Sequence, residues 1–234
     1  MPENTEHISH DITLRAAIAR TDEHPGSVAQ RIDDFTAQMT RHLGVTDWEA
    51  PLAGKWEGDL QTKMNTVMRM ARDVLDMDAG ERGLNMTLTA THGDHDITAI
   101  FTHAPVIGTT VPLNYVTVRI ANGDPSKQVT LDDAFLMIQI LVATFEPQVA
   151  SVTSTELALH STPTLGWQPP IGYLVWLPQD TDTLTLPGDG YLQATPLSIG
   201  GTLLSISPVL TERSIGTILT DFYTTNNITK IPHG

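Results

Sequence analysis

The stretch Leu131-Asp132-Asp133-Ala134-Phe135-Leu136-Met137-Ile138-Gln139-Ile140-Leu141-Val142-Ala143-Thr144-Phe145-Glu146-Pro147-Gln148-Val149-Ala150-Ser151-Val152-Thr153 decides the reading of the fold. Thr130 ahead of it is a helix N-cap residue, and Asp132 and Asp133 sit where the helix N-terminus is positive. Phe135, Leu136, Ile138, Ile140, Leu141, Val142 and Phe145 are apolar nearly all round, so this helix is predicted to be central and buried on several sides. Pro147 forbids its continuation, and Val149–Thr153 follows at once as a strand. Beyond it come Gly172-Tyr173-Leu174-Val175-Trp176-Leu177, then Gly190-Tyr191-Leu192, then Gly200-Gly201-Thr202-Leu203-Leu204-Ser205-Ile206. Val209–Thr225 closes the chain as a helix, with Ile215, Ile218, Leu219 and Phe222 facing inward.

Upstream, Met1–His10 reads as a flexible tail, and Ile12, Leu14, Ala16 and Ile18 alternate as a first strand. Ser27-Val28-Ala29-Gln30 reads as a capping box. Val28, Ile32, Phe35, Met39 and Leu43 then mark one helix face, with Gly44 at the C′ position. Val45–Asp59 looks irregular and holds Trp48 and Trp56; Leu60–Leu75 is a second helix. Met86, Leu88 and Ala90 alternate with Thr87, Thr89 and Thr91. Ile97, Ala99 and Phe101 alternate with Thr98, Ile100 and Thr102. With His92-Gly93-Asp94-His95 between them, these form a hairpin. Val116, Val118 and Ile120 add a third strand. One apolar face and one Thr-rich face predict an antiparallel sheet covered on one side. The fold class is therefore α+β, a mostly antiparallel sheet with helices packed on it, as a single domain over 11–234.

Composition narrows function. Lys and Arg number 13 against 27 Asp and Glu, a formal charge of −14. Such a surface repels nucleic acid and anionic lipid and favours a basic partner. There is no cysteine, which excludes a disulfide framework and a thiolate metal site and fits a reducing compartment. The polar, acidic N-terminus lacks the pattern of a secretory leader, and no apolar run is long enough to span a bilayer. The expectation is a cytoplasmic protein.

No Gly-x-Ser-x-Gly elbow, phosphate-binding loop or dinucleotide fingerprint occurs, so the chain reads as a binding protein rather than an enzyme, with no cofactor and no catalytic residue. The one cluster with metal-ligand residue types is His92, Asp94, His95 and Asp96, with His103 ending the next strand. Adjacent side chains on a hairpin tip diverge, and Gly and Asp suit the turn for backbone reasons. A solvated turn is the preferred reading, and a metal-assisted hydrolase using His92 and His95 the alternative.

Two loops combine acids with aromatics or unusual length. Trp48, Glu49, Trp56, Glu57 and Asp59 form the first, with the tryptophans either anchoring a partner or capping the core. Asp180, Asp182 and Asp189 lie in the second, long for a hairpin loop. With Asp94 and Asp96, these are the candidate partner contacts.

The arrangement resembles the immunity protein 52 family of polymorphic bacterial toxin systems. The resemblance runs from about Ile12 to the last helix. It includes Asn114-Tyr115-Val116-Thr117-Val118 and Phe145-Glu146-Pro147 leading into Val149–Ser154. Gly172-Tyr173-Leu174-Val175-Trp176-Leu177 resembles the family's Gly-Trp-x-x-Tyr-Leu region with aromatics exchanged, and Gly200-Gly201-Thr202-Leu203-Leu204 its Gly-Thr-Leu strand. The resemblance implies a cytoplasmic antitoxin-like protein that binds a cognate toxin domain stoichiometrically, with no catalytic residues to carry over. A regulatory module that works as an oligomer is a further alternative.

Overall fold

The computed structural model describes residues 6–20, 24–51, 53–73, 84–104, 112–160, 167–188 and 190–233. Its elements run β1 (Asp11–Ile18), α1 (Pro25–Leu43), β2 (Thr46–Ala50), β3 (Gly54–Lys55), α2 (Leu60–Asp73), β4 (Leu84–His92), β5 (His95–His103) and β6 (Asn114–Ala121). The second half adds α3 (Leu131–Phe145), β7 (Val149–Ser154), α4 (Thr155–His160), β8 (Leu174–Leu177), β9 (Leu192–Pro196), β10 (Thr202–Ile206) and α5 (Glu212–Thr225). The strands form one 10-stranded sheet in the order β3-β2-β4-β5-β6-β1-β7-β8-β10-β9. Every pairing is antiparallel.

Two hydrophobic clusters sit on opposite faces of this sheet. The first packs α1, α2 and α3 on β2, β4, β5, β6 and β1. Ile12, Leu14, Ala16, Met86, Leu88, Ile97, Ala99, Phe101, Val116, Val118 and Ile120 point into it, each buried. Phe35 is its hub, touching Trp48, Phe101 and Phe145 with ring centroids 6.2, 6.0 and 5.7 Å away. The second cluster lies under α4 and α5 and takes Val149, Val175, Leu177, Leu204 and Ile206 from the strands. Leu174, Trp176 and Leu203 face the first cluster and Val175, Leu177 and Leu204 the second. β7, β8 and β10 are thus covered on both sides, and β8 is buried at all four positions, as a two-sided strand must be.

The central helix forms as read. The Thr130 hydroxyl accepts from the Asp133 amide at 3.0 Å, and Ala134, Met137, Ile138, Ile140, Leu141, Val142 and Phe145 are buried. Gly44, at φ +68°, ends α1, its amide bonding Thr40 and the Val45 amide bonding Met39 in a Schellman closure.

Four local expectations change. The α1 cap is His24, whose Nδ1 accepts from the Gly26 amide at 3.1 Å, and not Ser27; Pro25 opens the helix, with φ already set for N1. The segment after Gly44 is not irregular but forms β2 and β3, its alternation hidden by a bulge at Asp47 (φ +58°). Of the predicted tail, residues 1–5 lie outside the described residues, whereas Glu6–His10 are tied down. The Ile8 amide bonds Val129, the Val129 amide bonds Ser9, and the Leu131 amide bonds Glu6. The last helix starts at Glu212 behind the Thr211 cap and leaves Val209 exposed. Leu75 and the acidic turn 76–83 lie outside the described residues.

Candidate binding surface

The first acidic loop does not present its aromatics. Trp48 and Trp56 are each 8% exposed and belong to the core under α1 and α2. Neither buried indole N–H has a hydrogen-bond partner among the described residues. Trp48 packs edge-on against Phe35, and Lys63 Nζ lies 5.8 Å from the Trp56 ring centre. Of the two readings, core cap and partner anchor, their burial fits the core cap and not the anchor; β2 alternates, so the residue between two core positions, Glu49, takes the outward place. Glu57 is exposed. Asp59 caps α2, accepting from the Thr62 amide at 2.8 Å and its hydroxyl at 2.7 Å, and these bonds hold its carboxyl below the usual range.

The β4–β5 hairpin closes through Gly93 (φ +57°) and Asp94. Asp94 pairs with Lys127 at 3.0 Å, which lowers its pKa. His92 and His95 face each other across the ladder with centroids 6.4 Å apart, and His95 Nε2 lies 3.1 Å from the Lys127 carbonyl. His103 stands at the far end of β5, opposite Leu84. Among the described residues no group of three or more His, Asp or Glu side chains is placed to hold a metal ion. Asp180 precedes, and Asp182 lies within, a 3₁₀ turn at Thr181–Thr183, and both are exposed; Asp189 lies outside the described residues.

The candidate acids are not brought into one patch. Register places Asp96, Ala121, Asp11 and Ser154 at one end of the strands. Leu177, which leads to Asp180, is at the other end, beside Thr202. β8 is also four places along the sheet from β5, about 19 Å.

What the fold does assemble is a broad sheet face turned away from α1, α2 and α3. It carries Glu49 from β2; Asn85, Thr87, Thr89 and Thr91 from β4; and Asp96, Thr98, Ile100 and Thr102 from β5. Tyr115, Thr117, Arg119 and Ala121 come from β6, Asp11, Thr13 and Arg15 from β1, and Ser151 and Thr153 from β7. The registers align them in rows, such as Thr89–Thr98–Arg119–Thr13–Thr153. On β4, β5 and β6 these side chains are half-buried or exposed, and among the described residues no helix packs on them. Six strands span about 24 Å, and with strands some 25 Å long the face covers roughly 600 Å². A typical stable interface takes about 800 Å² from each partner.

Charge on this face is graded. Glu49 and Asp96 lie toward the β2 side. Arg119 forms a two-point ion pair with Asp11, its Nε 3.1 Å and Nη2 2.6 Å from the carboxylate oxygens. Those bonds draw the Asp11 pKa down and raise that of Arg119. Arg15 lies over the Tyr115 ring, its Cζ 4.9 Å from the centroid. Threonine alternation was the sequence signal for this face; its continuation across β1 and β7 depends on a strand order that alternation does not encode.

No family model and no curated protein matches the chain. Among solved structures it is similar to the Pseudomonas aeruginosa T6SS protein PA0821, with a TM-score of 0.45, 13% identity, and coverage of 94% of this chain and 76% of that one. A likeness that distant says nothing of function. Among the described residues no helix is long and apolar enough to cross a membrane.

Proposed function

We propose that this chain is a non-catalytic, cytoplasmic immunity protein that neutralises a cognate toxin domain by stoichiometric contact. The observation that carries the reading is the open Thr-rich face of β4, β5, β6 and β1. It is a broad polar surface of roughly 600 Å², left uncovered by any helix among the described residues, while the reverse side of the same strands is packed. The motif resemblance to immunity protein 52 points the same way. The −14 charge favours a basic partner and steers its approach.

The contact is centred on the Thr rows, with Glu49 and Asp96 as its acidic border. Asp180 and Asp182 fall outside it, because they follow β8, which lies beyond the open strands and is covered on both sides. Trp48 and Trp56 support the surface from beneath. The test is co-expression with the product of the adjacent gene. A 1:1 complex together with rescued growth of cells making that product is the expected result, and the absence of both overturns the reading.

A further inference from the structure

Where β1 and β7 leave the open face, a groove of about 480 Å³ runs between the sheet and α4. Its floor is hydroxyl-bearing: Thr13, Ser151 and Thr153. Its wall is apolar: Ala158, Leu159, Pro170 and Ile171. Leu159 is 78% exposed, an unusual position for a large aliphatic side chain on a six-residue helix.

Arg15 stands in this groove. The register puts it directly between Thr117 on β6 and Ser151 on β7. Its guanidinium has no carboxylate partner among the described residues and rests against Tyr115. A guanidinium lying on an aromatic ring is held in one orientation, while its in-plane N–H groups stay free to donate. The neighbouring cation, Arg119, is neutralised by Asp11, and Asp11 also accepts from the Thr155 hydroxyl, so that carboxylate is fully engaged. The hydroxyls of Thr13 and Ser151 line the same groove as Arg15 and have no partner among the described residues, so they remain able to donate.

We infer that this groove recognises a peptide carboxylate flanked by apolar side chains. Arg15 takes the carboxylate, Thr13 and Ser151 add hydrogen bonds, and the wall around Leu159 takes the aliphatic neighbours. In a chain carrying 27 acids against 13 bases, a preorientated arginine without an acidic partner is a feature for an incoming anion. The groove lies at the β1–β7 margin of the face proposed above for the toxin domain; the peptide titration reads the groove alone, so its failure is distinguishable from failure to form the complex with the adjacent gene product.

The experiment is a heteronuclear NMR titration of the full chain with three probes: acetyl-Leu-Glu-Leu-amide, acetyl-Leu-Gln-Leu-amide and inorganic phosphate. The expected result is saturable shifts at Arg15 Nε–H, Thr13 and Ser151 with the glutamate peptide. The glutamine peptide binds at least about tenfold more weakly, as does the glutamate peptide to Arg15→Gln. Thr217→Val, on α5 and outside the groove, checked for an unchanged fold in the same spectra, leaves the glutamate preference in place, because the Thr217 hydroxyl donates to the Arg213 carbonyl within its own helix. Equal binding of the two peptides, tighter binding of phosphate than of the glutamate peptide, or no saturable shift with any probe each overturns the inference.

Discussion

Gly201 lies against the indole of Trp176 so closely that a Cβ there would stand 2.8 Å from the ring Cζ2 and Nε1, and 2.4 Å from the Leu177 carbonyl oxygen. The backbone at Gly201 is also in the left-handed region, at φ +74°. The turn before β10 therefore returns directly over the tryptophan, and Trp176 Nε1 donates to the Gly200 carbonyl at 3.1 Å. Gly201→Ala is expected to cost about 2–4 kcal/mol, from overpacking and backbone strain together. Gly200→Ala is expected to cost less, since no atom lies within 4 Å of its added Cβ. Urea denaturation of the two variants checks the order; equal losses would contradict this packing.

Trp48 supports the fold and not a contact. Trp48→Ala is expected to lower stability by about 3–5 kcal/mol, because it empties a site beside Phe35. Partner affinity, measured at a temperature where the variant remains folded, is expected to stay unchanged.

Much of this fold is legible in periodicity, and its failures have specific causes. The hairpin at Gly93-Asp94, the central helix and its Thr130 cap follow from alternation, turn chemistry and capping. The second layer does not. Gly172–Leu177 reads only as an apolar run, and such a run leaves open which elements cover its two sides. The short helix α4 leaves no periodic signal because its six residues span under two turns, although Ser154 caps it by accepting from the Leu157 amide at 3.0 Å. The site was legible in part. Alternating threonines mark an uncovered face, but acidity in a loop does not tell a contact from a cap, as at Asp59, or from a local ion pair, as at Asp94.

The Asp11–Arg119 pair predicts a weak acid sensitivity. Asp11's pKa is lowered in the fold, first by the hydrogen bond from Arg119. Its stabilisation is therefore present above the ordinary carboxylate value, near 3.9, and is lost as pH falls through the lower folded value. Because Arg119 is 58% exposed, the coupling is expected to be no more than about 1 kcal/mol. A double-mutant cycle with Asp11→Asn and Arg119→Gln, followed from pH 7 down through the acid range, checks this: the coupling is present at pH 7 and declines only below the ordinary carboxylate range.

Tyr223 is buried, and its hydroxyl donates to the Pro170 carbonyl at 2.6 Å. Burial pushes its pKa above the ordinary phenol range. In a spectrophotometric titration it is expected not to ionise until the protein unfolds in alkali. Tyr223→Phe is expected to cost about 1–2 kcal/mol by leaving that carbonyl unpaired.

If charge steers the partner, the association rate falls as salt is raised. Glu49→Lys with Asp96→Lys is expected to slow association, whereas Asp180→Lys with Asp182→Lys, distant from the Thr rows, changes it little. Stopped-flow measurements on the two pairs separate the open face from the far loop; the reverse ranking would move the interface.

The most direct test of the account is the stoichiometry and affinity of the complex with the adjacent gene product, measured by calorimetry for the natural chain and for Thr98→Arg. Thr98 stands in the middle of the open face, between Thr89 and Arg119. A 1:1 complex that is lost in Thr98→Arg, with the variant's melting temperature unchanged, is the predicted result. A complex of equal affinity in both chains, or none with the natural chain, would contradict it.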